Sequence, residues 1–407
     1  MSLYHSSRYK LRNIERTIDS LLEGDFPLDA GREALHNLRD VFTKISKRLD
    51  RANVLDNPAN LVQVAQVINL KILQSLPILG FILRSTNVRN AFEMLEPLHA
   101  IASNALQGKP RLILSSEWDY VPFAYPQSLD SLKSFILIGL PASEAASALL
   151  MPVAGHELGH AVWRHYGIGA SLQQDLQTKC FARYGLPINR EEFSRLSKKS
   201  GPNDLFGPQL VEEAVEESST YAGFQAEELF CDLFAYACFG PSYLRAFAYI
   251  VAPGDGVTDA KYPRHSTRVG VIRNVASKEN VTLPTLEELG FIPDGRRGDA
   301  QHQFMVRMAE GAVADIMDDL WQFVVTVIGK GGINRPQTEK TKSLLRSFKV
   351  LIPSEDGGSV GDIINAGWER YDEIISTGAS MFDQLAQLNE VLLKTIEVFE
   401  YNRRIGR

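Results

Sequence analysis

The sequence predicts an α+β fold that is predominantly α-helical, with a small β-sheet, and three observations point there. Apolar residues recur at spacings of three and four near both ends of the 407-residue chain, the stripe of amphipathic helices. Short apolar, β-favouring runs bounded by Pro and Gly follow "QGKP" at 107–110. Two mid-chain segments then carry ionisable groups inside otherwise apolar helical runs, and these groups need partners if they are buried.

Taken in order, Leu11, Ile14, Ile18 and Leu21 mark a first helix, and Leu35, Leu38, Phe42, Ile45 and Leu49 mark a second. Asp29 is placed to cap the second, and "EGDFPLD" would join the two as a hairpin. This pair reads either as an arm that binds a partner or self-associates, or as a helical subdomain packed on its own chain. "LVQVAQVINLKILQSLPILGFIL" (61–83) is the most apolar stretch; its Gln, Asn, Lys and Pro residues predict a buried core helix and no membrane span. "RLILSSEWDYVPFAYP" and "SFILIGLP" predict the sheet. "ASEAASALLMPVAGHELGHAVWRHYG" returns to helix, with Ser143 as a cap, Gly167 as a stop, and Pro152 marking either a kink or a start near Leu150. "SKKSGPNDLFGPQ" (197–209) reads as loop. "VEEAVEESSTYAGFQAEELFCDLFAYACFG" reads as helix up to Gly240-Pro241, and "APGDGVTDAKYPRHSTR" as loop. Helical runs follow near 302–329, 336–350, 359–376 and 380–401. Three regions result: an N-terminal helical region (1–108), a central core (109–283) and a C-terminal helical region (284–407).

Hydrophobic residues at 44% and charged residues at 23% suit a soluble globular protein. A net charge of -6 gives no electrostatic case for nucleic acid, which calls for a basic face. Cys180, Cys231 and Cys238 are too few for a disulfide framework, and the last two, about 10 Å apart along a helix, cannot bridge. Reduced thiols and the lack of an apolar leader run in "MSLYHSSRYKLRNIERTIDS" predict a cytoplasmic protein.

The chemistry concentrates in "VAGHELGHAVW" (153–163). His156-Glu157-Leu158-Gly159-His160 is H-E-x-x-H, and a spacing of four sets both imidazoles on one helix face, able to converge on one ion. Glu157 lies about 100° round the axis, where it reaches water without being a ligand. A catalytic zinc site needs three protein ligands and an open position. A third histidine in H-x-x-G-x-x-H continuation is excluded, because Trp163 and Tyr166 stand where Gly and His are required. Downstream, "AEELFCDLFAYA" holds Glu228 and Asp232 four apart, two acids in apolar company. Glu228 would complete the metal site, with Glu227 as the alternative, and Asp232 would accept the second ring N–H of a ligand histidine. Glu212, Glu213, Glu216 and Glu217 read as a solvated face.

H-E-x-x-H followed by E-x-x-x-D resembles the gluzincin group of zinc metallopeptidases, over about a tenth of the chain. The resemblance implies a zincin-like core, in which both motif helices lie beneath a small sheet. It implies Zn²⁺ held by His156, His160 and Glu228, Glu157 as general base and acid, and Asp232 behind a ligand histidine. It also implies that "SFILIGLP" or "RLILSSEW" is an edge strand along which a peptide substrate lies. In "KYPRHSTR", Tyr262 stands where related sequences have His before Pro; Tyr262 or His265 would stabilise an oxyanion, with Arg268 as a further substrate or oxyanion contact. The function expected is hydrolysis of peptide bonds in a peptide or protein substrate. The alternatives are a zinc-stabilised helical interaction protein without peptidase activity and a zinc hydrolase of a non-peptide amide.

Overall fold

The three-four spacing at the N-terminus produces helices α1 (Leu3–Leu22) and α2 (Asp29–Arg51), and the apolar stretch that follows forms α3 (Pro58–Asn87). The computed structural model describes the chain except residues 1–2, 27–28, 52–57, 88–90, 119, 121, 126–131, 133, 198–206, 253–256, 293–294, 297, 356–357, 378–380 and 407. Pro27 and Leu28 of the hairpin connection, the side chain of Leu49 and most of the 197–209 loop therefore lie outside the described residues. Leu11, Ile14, Ile18, Leu35, Leu38 and Phe42 are buried together with Ile68, Ile72, Phe81 and Ile82 of α3, so this subdomain packs on its own chain. Arg39 forks onto Asp19 across α1 and α2, at 2.5 and 2.9 Å.

Helix α3 is only half a core helix. Ile68, Ile72, Ile78 and Ile82 face inward, while Val62, Val67, Leu70, Leu73 and Leu76 are about half exposed. Residues Asn60–Ser85 are long and apolar enough to cross a membrane by length and composition, and 39% of their most apolar window is buried. The expectation of a fully buried helix is corrected because the stretch is apolar all round, whereas neighbours cover one side.

Strand β1 (Arg111–Glu117) pairs in parallel with β3 (Phe135–Pro141), Arg111 facing Phe135 and Glu117 facing Pro141. β2 (Phe123–Ala124) pairs antiparallel on the other side of β3, so the order is β1-β3-β2. β3, "SFILIGLP", is thus the central strand and not an edge; among the described residues, β1 is an edge. A Cβ at Gly139 would come 2.7 Å from the Phe123 ring, so only glycine admits that ring over the middle of β3. Ile113, Phe135 and Leu137 join the core of α1–α3.

The chain divides into two compact units: Met1–Leu95 with Lys109–Ala146, and Glu96–Gly108 with Ser147–Arg407. Helix α4 (Phe92–Ala105) runs from one into the other. This division differs from the three regions read in the sequence. The sheet clusters with the N-terminal helices because its apolar faces complete their core, and the motif helices cluster with the C-terminal region. A 109–283 core of sheet plus motif helices does not form a unit of its own.

In the second unit the helices are α5 (Met151–His165), α6 (Ile168–Gly185), α7 (Pro187–Ser197), α8 (Gly207–Phe239), α9 (Ser242–Val251), α10 (His265–Lys278), α11 (Ala300–Ala314), α12 (Met317–Gly331), α13 (Thr338–Lys349), α14 (Val360–Thr377) and α15 (Met381–Arg404). The 33-residue α8 is their axis, and α5, α6, α9, α10, α11, α12 and α14 pack on it. Its Phe230, Leu233, Phe234 and Phe239 are fully buried. Pro152 falls in the first turn of α5, which starts at Met151 without a kink, and Gly167 stops it with φ +61°. A two-residue ladder, β4 (Val257–Thr258) with β5 (Gly295–Arg296), lies before α10 and α11. α14 is bonded into this unit: Trp368 Nε1 donates to Leu149 O at 3.0 Å, and Asn365 spans the Gly240-Pro241 turn.

Candidate metal centre

Helices α5 and α8 meet almost backbone to backbone, and two glycines of the H-E-x-x-H segment permit it. A Cβ at Gly159 would stand 2.8 Å from Cys231 Cα, and one at Gly155 would stand 2.5 Å from the Phe239 ring. Gly155 and Gly159 are four apart, so they form one seam, and His156 and His160 flank it beside α8. Their rings lie edge to face, 5.3 Å between centroids.

Each imidazole is gripped from behind. His156 Nδ1 lies 3.0 Å from Asp232 Oδ1, and His160 Nδ1 lies 2.8 Å from Glu227 Oε1. The Nε2 atoms are thereby left to face Glu228: His156 Nε2 is 3.5 Å from Oε2 and His160 Nε2 is 3.8 Å from Oε1. Zinc–nitrogen and zinc–oxygen bonds near 2.1 Å at tetrahedral angles put donors about 3.4 Å apart. The two histidine-to-Glu228 spacings come within a few tenths of an ångström of that value, each to a different carboxylate oxygen. Carboxylates behind ligand histidines fix the tautomer and raise the basicity of the facing nitrogen.

Charge points the same way. Glu228 and Asp232 pair with the guanidinium of Arg268, whose charge also reaches Glu157. Burial disfavours a proton on His156, yet hydrogen bonds to Asp232 and Glu228 outweigh it and push the imidazole up to about 10. Burial is also the main influence on Glu228, but His156 and Arg268 hold its carboxyl below the usual range. Glu157, fully enclosed, is pushed up by burial against the pull of both histidines.

A thiol is also close by. The ligand atoms of His156, His160 and Cys231 lie within 4.8 Å of one another, so this buried group could hold a metal ion. Cys231 packs into the helix seam against Gly159. Burial, reinforced by the surrounding carboxylates, pushes its thiol well above the ordinary range.

Arg268 does not present itself to a substrate. It is buried and forks onto Asp232, Nε to Oδ2 at 2.8 Å and Nη2 to Oδ1 at 2.5 Å, above the Phe247 ring at 4.4 Å. The guanidinium holds the Asp232 carboxyl far below its usual value, although burial alone would raise it. Arg268 and His265 are helical, since α10 begins at His265. The His265 ring packs on Phe291 and Phe247 at 5.0 and 6.1 Å. Tyr262 precedes α10 and is half exposed. Its segment is pinned to α8 by Gln225, whose Nε2 donates to Ala260 O at 2.7 Å, and by Lys261 over the Phe224 ring. Burial, then the charges of Glu228 and Glu157, push the Tyr262 phenol up.

The structure thus brings together His156, Glu157, His160, Glu228, Asp232 and Arg268. Glu212, Glu213, Glu216 and Glu217 are exposed, as is His165. One participant escaped the sequence reading, and another changes place: Glu227, weighed there as the alternative ligand, lies behind His160 at its Nδ1. Tyr243, whose hydroxyl donates to Asp232, carries no motif; its one signal is a shared helical face with Phe247. Comparison of the chain with protein-family models, curated proteins and solved structures finds no match.

Proposed function

We propose that this protein is a zinc-dependent metallopeptidase, with His156, His160 and Glu228 as the metal ligands. One observation carries the reading: two imidazole Nε2 atoms converge on one carboxylate while both Nδ1 atoms are held by other carboxylates. When bound, the ion supplies a Lewis acid that polarises a carbonyl oxygen and acidifies water. Glu157 follows His156 in the same buried turn without joining the ligand set. Its raised pKa suits a group that takes a proton from water and returns it to a departing amine. Tyr262, half exposed within the field of Glu157 and Glu228, is the group best suited to donate to a developing oxyanion. His265, packed among aromatic rings, is less so.

The test pairs metal analysis with a peptide-library cleavage assay on wild type and Glu157→Gln. The variant should retain zinc and fold while losing turnover by at least a hundredfold, the lower range for a general base. Full activity in Glu157→Gln rejects the mechanism.

A second reading rests on the proximity of Cys231: a closed structural site using His156, His160 and the thiol. It belongs to a zinc-stapled interaction protein, since structural zinc takes four protein ligands, often with cysteine. Cobalt substitution separates the two. Sulfur-to-cobalt charge transfer that vanishes in Cys231→Ser supports the closed site, and its absence supports the hydrolytic one.

A further inference from the structure

Helix α9 follows α8 after the Gly240-Pro241 turn and carries Tyr243 in its first turn. The phenol is fully buried, and its hydroxyl donates to Asp232 Oδ1. The same oxygen lies 3.2 Å from His156 Nδ1, and the two rings are parallel within 4° at 6.2 Å. Asp232 Oδ1 therefore collects His156 Nδ1–H, Tyr243 O–H and Arg268 Nη2–H, while Oδ2 takes Arg268 Nε–H.

Resting on the metal-site reading above, we propose that Tyr243 is a positioning residue for the metal. Its oxygen and Asp232 share the His156 Nδ1–H, which holds the imidazole in one tautomer and one rotation with Nε2 turned to Glu228. A carboxylate alone leaves the ring free to pivot about a single contact; two acceptors on one N–H remove that pivot. Outer partners of this kind govern metal affinity as strongly as they orient the ligand.

The hydroxyl is itself held from a distance. Asn365 of α14 accepts from Ser242 N–H at 2.7 Å and donates to Phe239 O at 2.8 Å, and Ser242 Oγ donates to Phe239 O. Gly240 makes the turn at φ +62°. The register of α9, and with it the height of Tyr243, is thus set by a helix that contributes no metal ligand.

Tyr243→Phe keeps the ring and removes only the hydroxyl. Zinc affinity of the full chain is measured by competition with a chromophoric chelator, alongside the visible absorption of cobalt-loaded protein and the thermal midpoint of metal-free protein. The expected result is zinc binding about ten- to a hundredfold weaker and shifted cobalt bands. Tyr249→Phe, on the other side of α9, should match wild type. Asp232→Asn with Tyr243→Phe should bind more weakly than Asp232→Asn alone, because the phenol oxygen is itself an acceptor of the His156 Nδ1–H, and equal binding would overturn that direct role. Unchanged zinc affinity in Tyr243→Phe overturns the proposal and leaves the metal reading intact; no zinc uptake by wild type overturns both. Histidine-selective ¹⁵N spectra of zinc-loaded wild type decide independently of how the variant folds. They should show His156 protonated at Nδ1, and protonation at Nε2 overturns the proposal.

Discussion

Asp232 is the residue on which the centre's electrostatics turn. It lies at 0% exposure and accepts every hydrogen bond its two oxygens face, from a histidine, a phenol and a guanidinium. Removing one partner of a buried ion pair strands the other charge, at a cost of about 3–5 kcal/mol. Asp232→Asn should therefore lower unfolding stability by about that amount in urea titrations of the metal-free protein. A loss below about 1 kcal/mol would mean that Glu228, 3.8 Å from Arg268 Nη2, has taken over the guanidinium. At this scale much was legible, because spacing on a helix fixes which side chains share a face. His156, His160, Glu228 and Asp232 announce themselves as polar groups in apolar runs. Tyr243 does not, because a tyrosine is ordinary in a core helix; Arg268 was readable as a substrate or oxyanion contact, but nothing local in the sequence pairs it with Asp232.

Between elements, the decisive contact is the glycine seam of α5 on α8. Gly159 faces backbone, which cannot swing aside as a side chain can. Gly159→Ala should cost about 1–3 kcal/mol by overpacking and drive the histidines away from Glu228. Paired unfolding and zinc-affinity measurements on that variant check both effects, and retention of wild-type values in both would show that the helices part freely. Helix periodicity made most elements readable, down to the start of α5 next to Pro152. It failed where the signal is short. "HSTR" looks like loop because it follows closely on Pro263, yet α10 begins at His265. The run near 302–329 proves to be α11 and α12, broken at Asp315-Ile316, where apolar spacing continues across the turn. The strands were recognisable, but not their order, which depends on the distant β2 covering β3.

For the molecule as a whole, the C-terminal helices are structural partners of the motif helices rather than an appendage. Asn365 and Trp368 tie α14 to the turn after α8 and to the start of α5. A fragment spanning residues 147–283 should therefore lack cooperative thermal unfolding and bind zinc at least tenfold more weakly than the full chain, the lower range for lost outer partners. Calorimetry and metal titration on the fragment check this, and a sharp transition with full affinity would contradict it. Such long-range membership was beyond sequence reading, since no local pattern says which helix an amphipathic face will meet. The path of α4 has a consequence for biosynthesis. Residues 96–108 belong with partners encoded far downstream: Glu96 pairs with Arg404, and the carbonyl of Asn104 abuts Gly331. Glu96 and Asn104 thus leave the ribosome more than two hundred codons before these partners do. A nascent chain of this protein therefore carries the opening segment of its second unit without those partners through most of its translation, and apolar surface exposed in that way is prone to aggregate.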